Sequence, residues 1–251
     1  LKLAPIQINY LGYPGTMGSG IFDYIIADRV IIPERHRKYY NEEVIYLPNT
    51  YQATNNIRKI SKRIFSKKEC GLPSNSFVFC CFNNNYKITN VEFSIWMRLL
   101  KQVSGSVLWL LKKNKSVQFN IENQAKKFGI NPNRIIFAEF AEISEHLSRH
   151  SCADLFLDTF NVNAHTTASD ALWAGLPVLT KIGNSFASRV SASLLKAINI
   201  PELITKKNKE YEQLAIELAL DKIKLKKIKD KLKNNIPSSH LFNSEQYTKD
   251  F

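Results

Sequence analysis

Two adjacent threonines, Thr166 and Thr167, with Asp170 three to four residues on, stand between two short apolar runs, 154–159 and 177–180. Those runs, with Ala171, Leu172 and Trp173 between them, predict a strand, a helix and a second strand. A helix starting at Thr166 or Thr167 turns their hydroxyls and its free first-turn N–H groups toward one point, at the positive end of the helix dipole. Such a point holds an oxyanion, which implies a diphosphate-bearing ligand. Asp170 falls on the same face one turn deeper, where a carboxylate accepts hydrogen bonds from sugar hydroxyls, and His165 caps the loop just outside. A plainer reading also fits: an ordinary threonine N-cap followed by a first-turn acid.

A cation belongs beside such a site. The loop after the apolar run 77–82 carries Asn84 and Lys87. A lysine there can neutralise a departing diphosphate, an effect worth about 10²- to 10³-fold in rate. Read alone it is equally a solvated loop lysine. After the run 135–138, the loop Glu139-Phe140-Ala141-Glu142 leads to His146 and Arg149, three apart on one helix face, where both could edge a base or a ribose. An isolated His146 is otherwise a satisfied surface or core histidine. The loop 11–20 has glycines at 12, 15, 18 and 20 but lacks the Lys-Ser/Thr of a P-loop and does not match Gly-x-Gly-x-x-Gly in its expected place. Its glycines permit close approach of a ligand or a facing domain.

The elements that must position these groups alternate. Strands are expected at 6–10, 23–27 and 44–47, with a polar helical piece at 33–40 between the last two, before a polar, basic linker at 48–68. A regular series then follows: strand 77–82, helix 91–103, strand 107–111, helix 118–128, strand 135–138 and helix 145–150. The strand–helix–strand unit above comes next, then helices at 189–198, 209–220 and 222–233 and a terminal segment at 242–251. Strands separated by helices of this length build a parallel α/β sheet, which binds ligands at its carboxyl edge. We place a boundary in the linker, giving 1–60, 61–236 and a C-terminal segment 237–251.

Composition narrows the class. The 251 residues suffice for one large domain or one domain plus part of another. With 44% hydrophobic residues and no run near the roughly 20 apolar residues of a membrane span, the chain reads as soluble and globular. No signal peptide is present; the first residue is Leu and the first methionine is Met17, so the chain reads as starting part-way through a longer protein. The net charge of +13 is uneven, with seven lysines in 222–233. Leu225, Ile228 and Leu232 recur there at helical spacing, which predicts an amphipathic helix with a solvated lysine face. A nucleic-acid-binding module is the rival reading, but the stretch lacks interleaved aromatics. Cys70, Cys80, Cys81 and Cys152 have neither metal-ligand spacing nor a disulfide framework and read as reduced core residues of a cytosolic protein.

The strings Leu11-Gly-Tyr-Pro-Gly-Thr16, Phe82-Asn-x-x-Tyr-Lys-Ile88, Arg134-Ile-Ile-Phe137, His165-Thr-Thr167 with Asp170, Leu172-Trp-Ala-Gly175, Ala187-Ser-Arg-Val190 and Leu241-Phe-Asn243 occur in this order. Together they resemble the catalytic region of the O-GlcNAc transferases and their plant and bacterial relatives, glycosyltransferase family 41, nearly end to end. The resemblance implies a GT-B arrangement of two Rossmann-like domains, with 1–60 ending the first, acceptor-side domain and 61–236 holding the nucleotide sugar. It implies Lys87 as the catalytic cation on the diphosphate with Asn84 beside it. It also implies Thr166 and Thr167 on phosphate oxygens, Asp170 on the ribose, and His146, Arg149 and the Ala141 backbone around the nucleotide. Leu11, Gly12 and His165 would lie near the transferred sugar. The implied function is inverting transfer of N-acetylglucosamine from UDP to protein Ser/Thr hydroxyls without metal or other cofactor. Partners would be a UDP-sugar donor, a protein acceptor, and an acceptor domain and helical repeats upstream. Two positions depart from the pattern: Asn84 replaces a Gln, and Ile143 replaces a Lys that reaches uracil and ribose. Alternative donors in the family are GDP-fucose and UDP-glucose, and a relative that binds the nucleotide without catalysing transfer is a further alternative.

Overall fold

The computed structural model describes residues 2–18 and 20–251; Leu1 and Ser19, which fall in the expected first domain and its glycine loop, lie outside the described residues. Two parallel sheets form. The smaller holds β1 (Ile8–Asn9), β2 (Tyr24–Ala27) and β3 (Glu43–Tyr46) in that order. β1 is shorter than its alternating pattern suggested, since Asp23 already takes the Gln7 N–H on its side chain at 2.9 Å. The expected helical piece after β2 is a 3₁₀ helix, Glu34–Tyr39, with no buried residue to hold a longer element.

Six strands make the larger sheet: β4 (Val78–Cys81), β5 (Val107–Leu111), β6 (Ile135–Ala138), β7 (Leu155–Leu157), β8 (Val178–Lys181) and β9 (Ile204–Thr205). Their order is β6-β5-β4-β7-β8-β9, parallel throughout. All four residues of β4 and all three of β7 are buried, the continuous apolar run expected of central parallel strands covered on both faces. β9 escaped the sequence reading because two edge residues carry no period.

Between the strands run α1 (Asn90–Gln102), α2 (Lys115–Lys127), α3 (Ile143–Arg149), α4 (Thr166–Trp173) and α5 (Val190–Ala197). α6 (Asn208–Leu220), α7 (Lys222–Asn235) and α8 (Ser244–Asp250) follow β9. α1 is capped by the Thr89 hydroxyl and buries Phe93, Trp96, Met97 and Leu100, while Asn114 caps α2. The core centres on Trp96, Trp109, Tyr211, Phe79 and Phe156. α7 buries Leu225, Ile228 and Leu232 and turns its lysines outward, four of them paired with Glu217, Asp230, Asp154 and Glu202. Cys80 and Cys81 lie buried and free in β4, and Cys70 and Cys152 are also free thiols.

Side chains couple the two sheets. The buried Asp28 carboxylate, just after β2, accepts from the Ile31 and Tyr51 backbone N–H groups and from Ser193 of α5. Arg189 donates to the carbonyls of Val30 (2.6 Å) and Gly183 (2.7 Å). α8 returns to the segment that follows β3, where Tyr247 donates to the Tyr51 carbonyl at 2.9 Å.

Candidate active site

Strand order reverses between β4 and β7, because the chain builds outward from β4 to β6 and then returns to the other side of β4. A crevice opens at the carboxyl ends of those two strands, where a parallel α/β sheet receives its ligand. Two loops fill its floor: 82–87 after β4 and 158–165 after β7.

Asp158 anchors the second loop. Its buried carboxylate accepts from the N–H groups of Thr159 (2.8 Å) and Ala164 (2.6 Å) and from the Thr180 hydroxyl (2.6 Å). Burial pushes its pKa up to about 6 against the pull of these donors. Asn83, also buried, joins the loops: its amide donates to Thr159 Oγ1 at 2.8 Å, and its oxygen accepts from the Thr167 hydroxyl at 2.5 Å. Lys87 Nζ donates to the Asn163 carbonyl at 2.9 Å. The same short loop therefore carries the ammonium and, through Asn83, the start of α4.

Lys87 is held beneath its ordinary pKa by partial burial, which the Asp158 carboxylate opposes. Its charge is felt at His165, whose imidazole falls to about 4 through burial first and the Lys87 charge second. His165 occupies the N-cap of α4 but offers no side-chain cap, and neither threonine caps the helix. Thr167 is spent on Asn83, and Thr166 is exposed. First-turn N–H groups thus face the crevice without a capping side chain, so the ordinary N-cap reading is not what forms. Asn84 heads the 3₁₀ turn that bears Lys87.

Two pockets meet at this first turn. One, of about 350 Å³, is lined by Phe82, Leu111, Phe140, Ala141, Glu142, Ile143, His146, Arg149 and Thr167. Here His146 Nδ1 accepts from Arg149 Nε at 3.0 Å, and Arg149 Nη1 donates to the Glu139 carbonyl at 2.6 Å. The guanidinium also lies over the rings of Phe82 and Trp109. Burial, helped by the neighbouring His150 and Arg149, lowers His146 to about 3, so a neutral imidazole with its proton on Nε2 borders the pocket.

The other pocket, of about 340 Å³, brings Leu11 and Gly12 against His165 and Thr166, with Tyr51, Gln52, Thr54, Arg58, Ser169 and Phe186 completing its wall. Leu11 has φ +56°, and the Gly12 N–H bonds back to the Tyr10 carbonyl at 2.7 Å. A β-carbon-bearing residue in that region is uncommon, and it turns the Leu11–Gly12 backbone toward the pocket. Thr166 and Thr167, adjacent in sequence, thus border different pockets, and the head of α4 stands at their junction.

Asp170, expected at the ribose, is buried on α4 and paired with the Arg58 guanidinium from the linker. No spacing in the sequence links residues 112 apart. The sequence reading also passed over Asp158, Asn83 and Asn163. A charged residue near the end of the apolar run 154–159, and an amide directly after another such run, were the available signals.

His150 sets a pH expectation. Its Nδ1 donates to the His146 carbonyl at 2.7 Å while its buried Nε2 has no partner among the described residues, so a second proton would enter without an acceptor. Burial accordingly lowers it to about 4 from 6.5. The unfolded chain takes up this proton as pH falls through 6.5 and the folded one does not until about 4, so stability declines across that window, by about 3 kcal/mol. Urea melts of wild type and His150→Phe at pH 7 and pH 4 check this; the wild type should lose that much more than the variant.

The sequence profile of glycosyl transferase family 41 matches residues 1–63 and 52–251. A probable UDP-N-acetylglucosamine–peptide N-acetylglucosaminyltransferase of Arabidopsis thaliana, SEC, is 34% identical over 99% of this chain and 26% of its own length. The tomato SPINDLY protein is 30% identical over 98% of this chain and 26% of its own. The chain thus spans about a quarter of the length of these curated relatives. In fold it is similar to a Thermobaculum terrenum O-GlcNAc transferase, at TM-score 0.90 and 23% identity over 98% of this chain and 47% of that one. It is also similar to WaaG, a glycosyltransferase of lipopolysaccharide biosynthesis, at TM-score 0.63 and 17% identity over 94% and 64%.

Proposed function

The chain belongs to glycosyl transferase family 41, and from that membership we propose that it forms the donor-binding part of an enzyme transferring N-acetylglucosamine from UDP to a protein Ser or Thr hydroxyl. The observation that carries this reading is the head of α4 at the junction of two pockets, with Lys87 held on the same loop. A nucleotide in the pocket of Ala141, His146 and Arg149 would extend its diphosphate across Thr167 and Thr166. The sugar would then lie by Leu11, Gly12 and His165.

In the reaction, the acceptor oxygen attacks the anomeric carbon from the face opposite the diphosphate. That bond forms as the bond from the anomeric carbon to the phosphate oxygen breaks, and the electron pair leaves with UDP. Attack from the opposite face inverts the centre. Lys87 and the uncapped N–H groups of α4 meet the charge that grows on the leaving oxygens, and no metal enters this reading. The acceptor proton goes to a group in the remaining length that the relatives possess.

An assay of the intact protein tests the reading. With UDP-N-acetylglucosamine, UDP-glucose and GDP-fucose offered separately with acceptor peptides, transfer from the first should dominate. Ile143, which lines the nucleotide pocket with 49% of its surface exposed, makes the base the point of comparison. Preference for GDP-fucose, or absence of transfer from all three, would overturn it.

A further inference from the structure

We propose that Arg58, in the segment joining the two sheets, is a donor-binding residue that brings a second cation to the diphosphate. The inference rests on the nucleotide-sugar reading above and adds a group that the family resemblance did not supply.

Both ends of Arg58 are fixed to α4. Its carbonyl accepts from Trp173 Nε1 at 3.0 Å, and its guanidinium pairs with the Asp170 carboxylate. Asp170 is four residues past Thr166, one turn and about 6 Å along the helix on the same face. Arg58 also lines the pocket that holds Thr166 and His165. A guanidinium has five N–H donors, and a carboxylate engages at most two of them in a fork. Donors remain for an anion seated at the head of the helix. Asp170 then acts as a positioning residue that sets the direction of the fork.

The pocket itself calls for a hydrogen-bonding occupant. Gln52 is 6% exposed; its Nε2 donates to Ser169 Oγ at 2.9 Å, while its Oε1 is buried with no partner among the described residues. Thr54 Oγ1, on the same wall, is likewise buried and unmatched. Buried polar atoms rarely stay unsatisfied, so two on one wall mark a place where a polar ligand completes the bonding. An acidic moiety is the chemistry that also suits the uncapped helix and the guanidinium.

Calorimetry of the intact protein with UDP and with uridine tests this. Arg58→Ala should weaken UDP by about 10- to 100-fold, the range for a hydrogen bond to a charged group, and leave uridine within about twofold. Arg58→Lys should recover part of the loss. Unchanged UDP binding in Arg58→Ala, beside a weakened Lys87→Met, overturns the role of Arg58 and leaves the transferase reading standing. Tighter UDP binding would make Arg58 a plug on Asp170, and equal loss of UDP and uridine would make it a structural tie; either outcome overturns the proposal. A wild type that binds no nucleoside diphosphate defeats both readings together.

Discussion

Lys87→Met is expected to lower kcat by about 10²- to 10³-fold, the cost of removing one preorganised group that stabilises charge in the transition state. The substitution keeps the length and the apolar stem and deletes only the ammonium. That ammonium donates to the Asn163 carbonyl at 2.9 Å and is opposed by partial burial, so the fold loses little. On the proposed reading, the leaving diphosphate then lacks that ammonium at the moment its charge peaks. KM for the donor should therefore move much less than kcat, since the interaction is stronger in the transition state than in the ground state. Steady-state kinetics with thermal melting checks the split. A proportional rise in KM at constant kcat would make Lys87 a binding group only.

Asp158→Ala is expected to destabilise the protein by about 3–5 kcal/mol, because three buried donors lose their acceptor at once. The Thr159 and Ala164 N–H groups and the Thr180 hydroxyl all converge on this carboxylate, and Asn83 Nδ2 approaches it at 3.4 Å. For a chain of this size that corresponds to a fall of roughly 6 to 20 °C in melting temperature. Loss of the anchor also frees the loop that carries the Lys87 contact, so activity should drop even where the variant stays folded. Asp158→Asn separates charge from bonding. The folded pKa is raised to about 6 from 3.8, so the stability this group contributes is fully present below 3.8 and is lost as pH rises through about 6. That slope opposes the one from His150, and it should vanish in the Asn variant. Chemical denaturation across pH 4 to 7 reads both, and a melting temperature within 2 °C of wild type for the Ala variant would contradict the anchor role.

Most of the larger sheet was legible in the sequence because its strands are short continuous apolar runs. The runs 107–111 and 135–138 are matched residue for residue by β5 and β6. Periodicity also found α7, whose three apolar positions are the ones buried. The smaller sheet was harder to read, since β1 keeps only two of its five expected residues and the Gln7 N–H goes to the Asp23 side chain; in the larger sheet β9 is too short to carry a pattern. At the site, helix-start chemistry placed Thr166 and Thr167 at the head of α4, and strand-end logic placed Lys87 beside the β4 edge. What spacing could not supply is long-range pairing. Arg58 with Asp170, and Asn83 with Thr167 and Thr159, depend on crossovers that bring residues 76 to 112 apart into contact.

The account depends on the diphosphate bridging the two pockets across the head of α4. A crystal structure of the intact protein with UDP reads this directly. The account predicts β-phosphate oxygens within about 3.5 Å of Lys87 Nζ and of the Thr166 or Thr167 N–H or hydroxyl, with the base beside His146 and Arg149. A UDP whose phosphates turn away from Lys87, or that sits outside the crevice between β4 and β7, would contradict it.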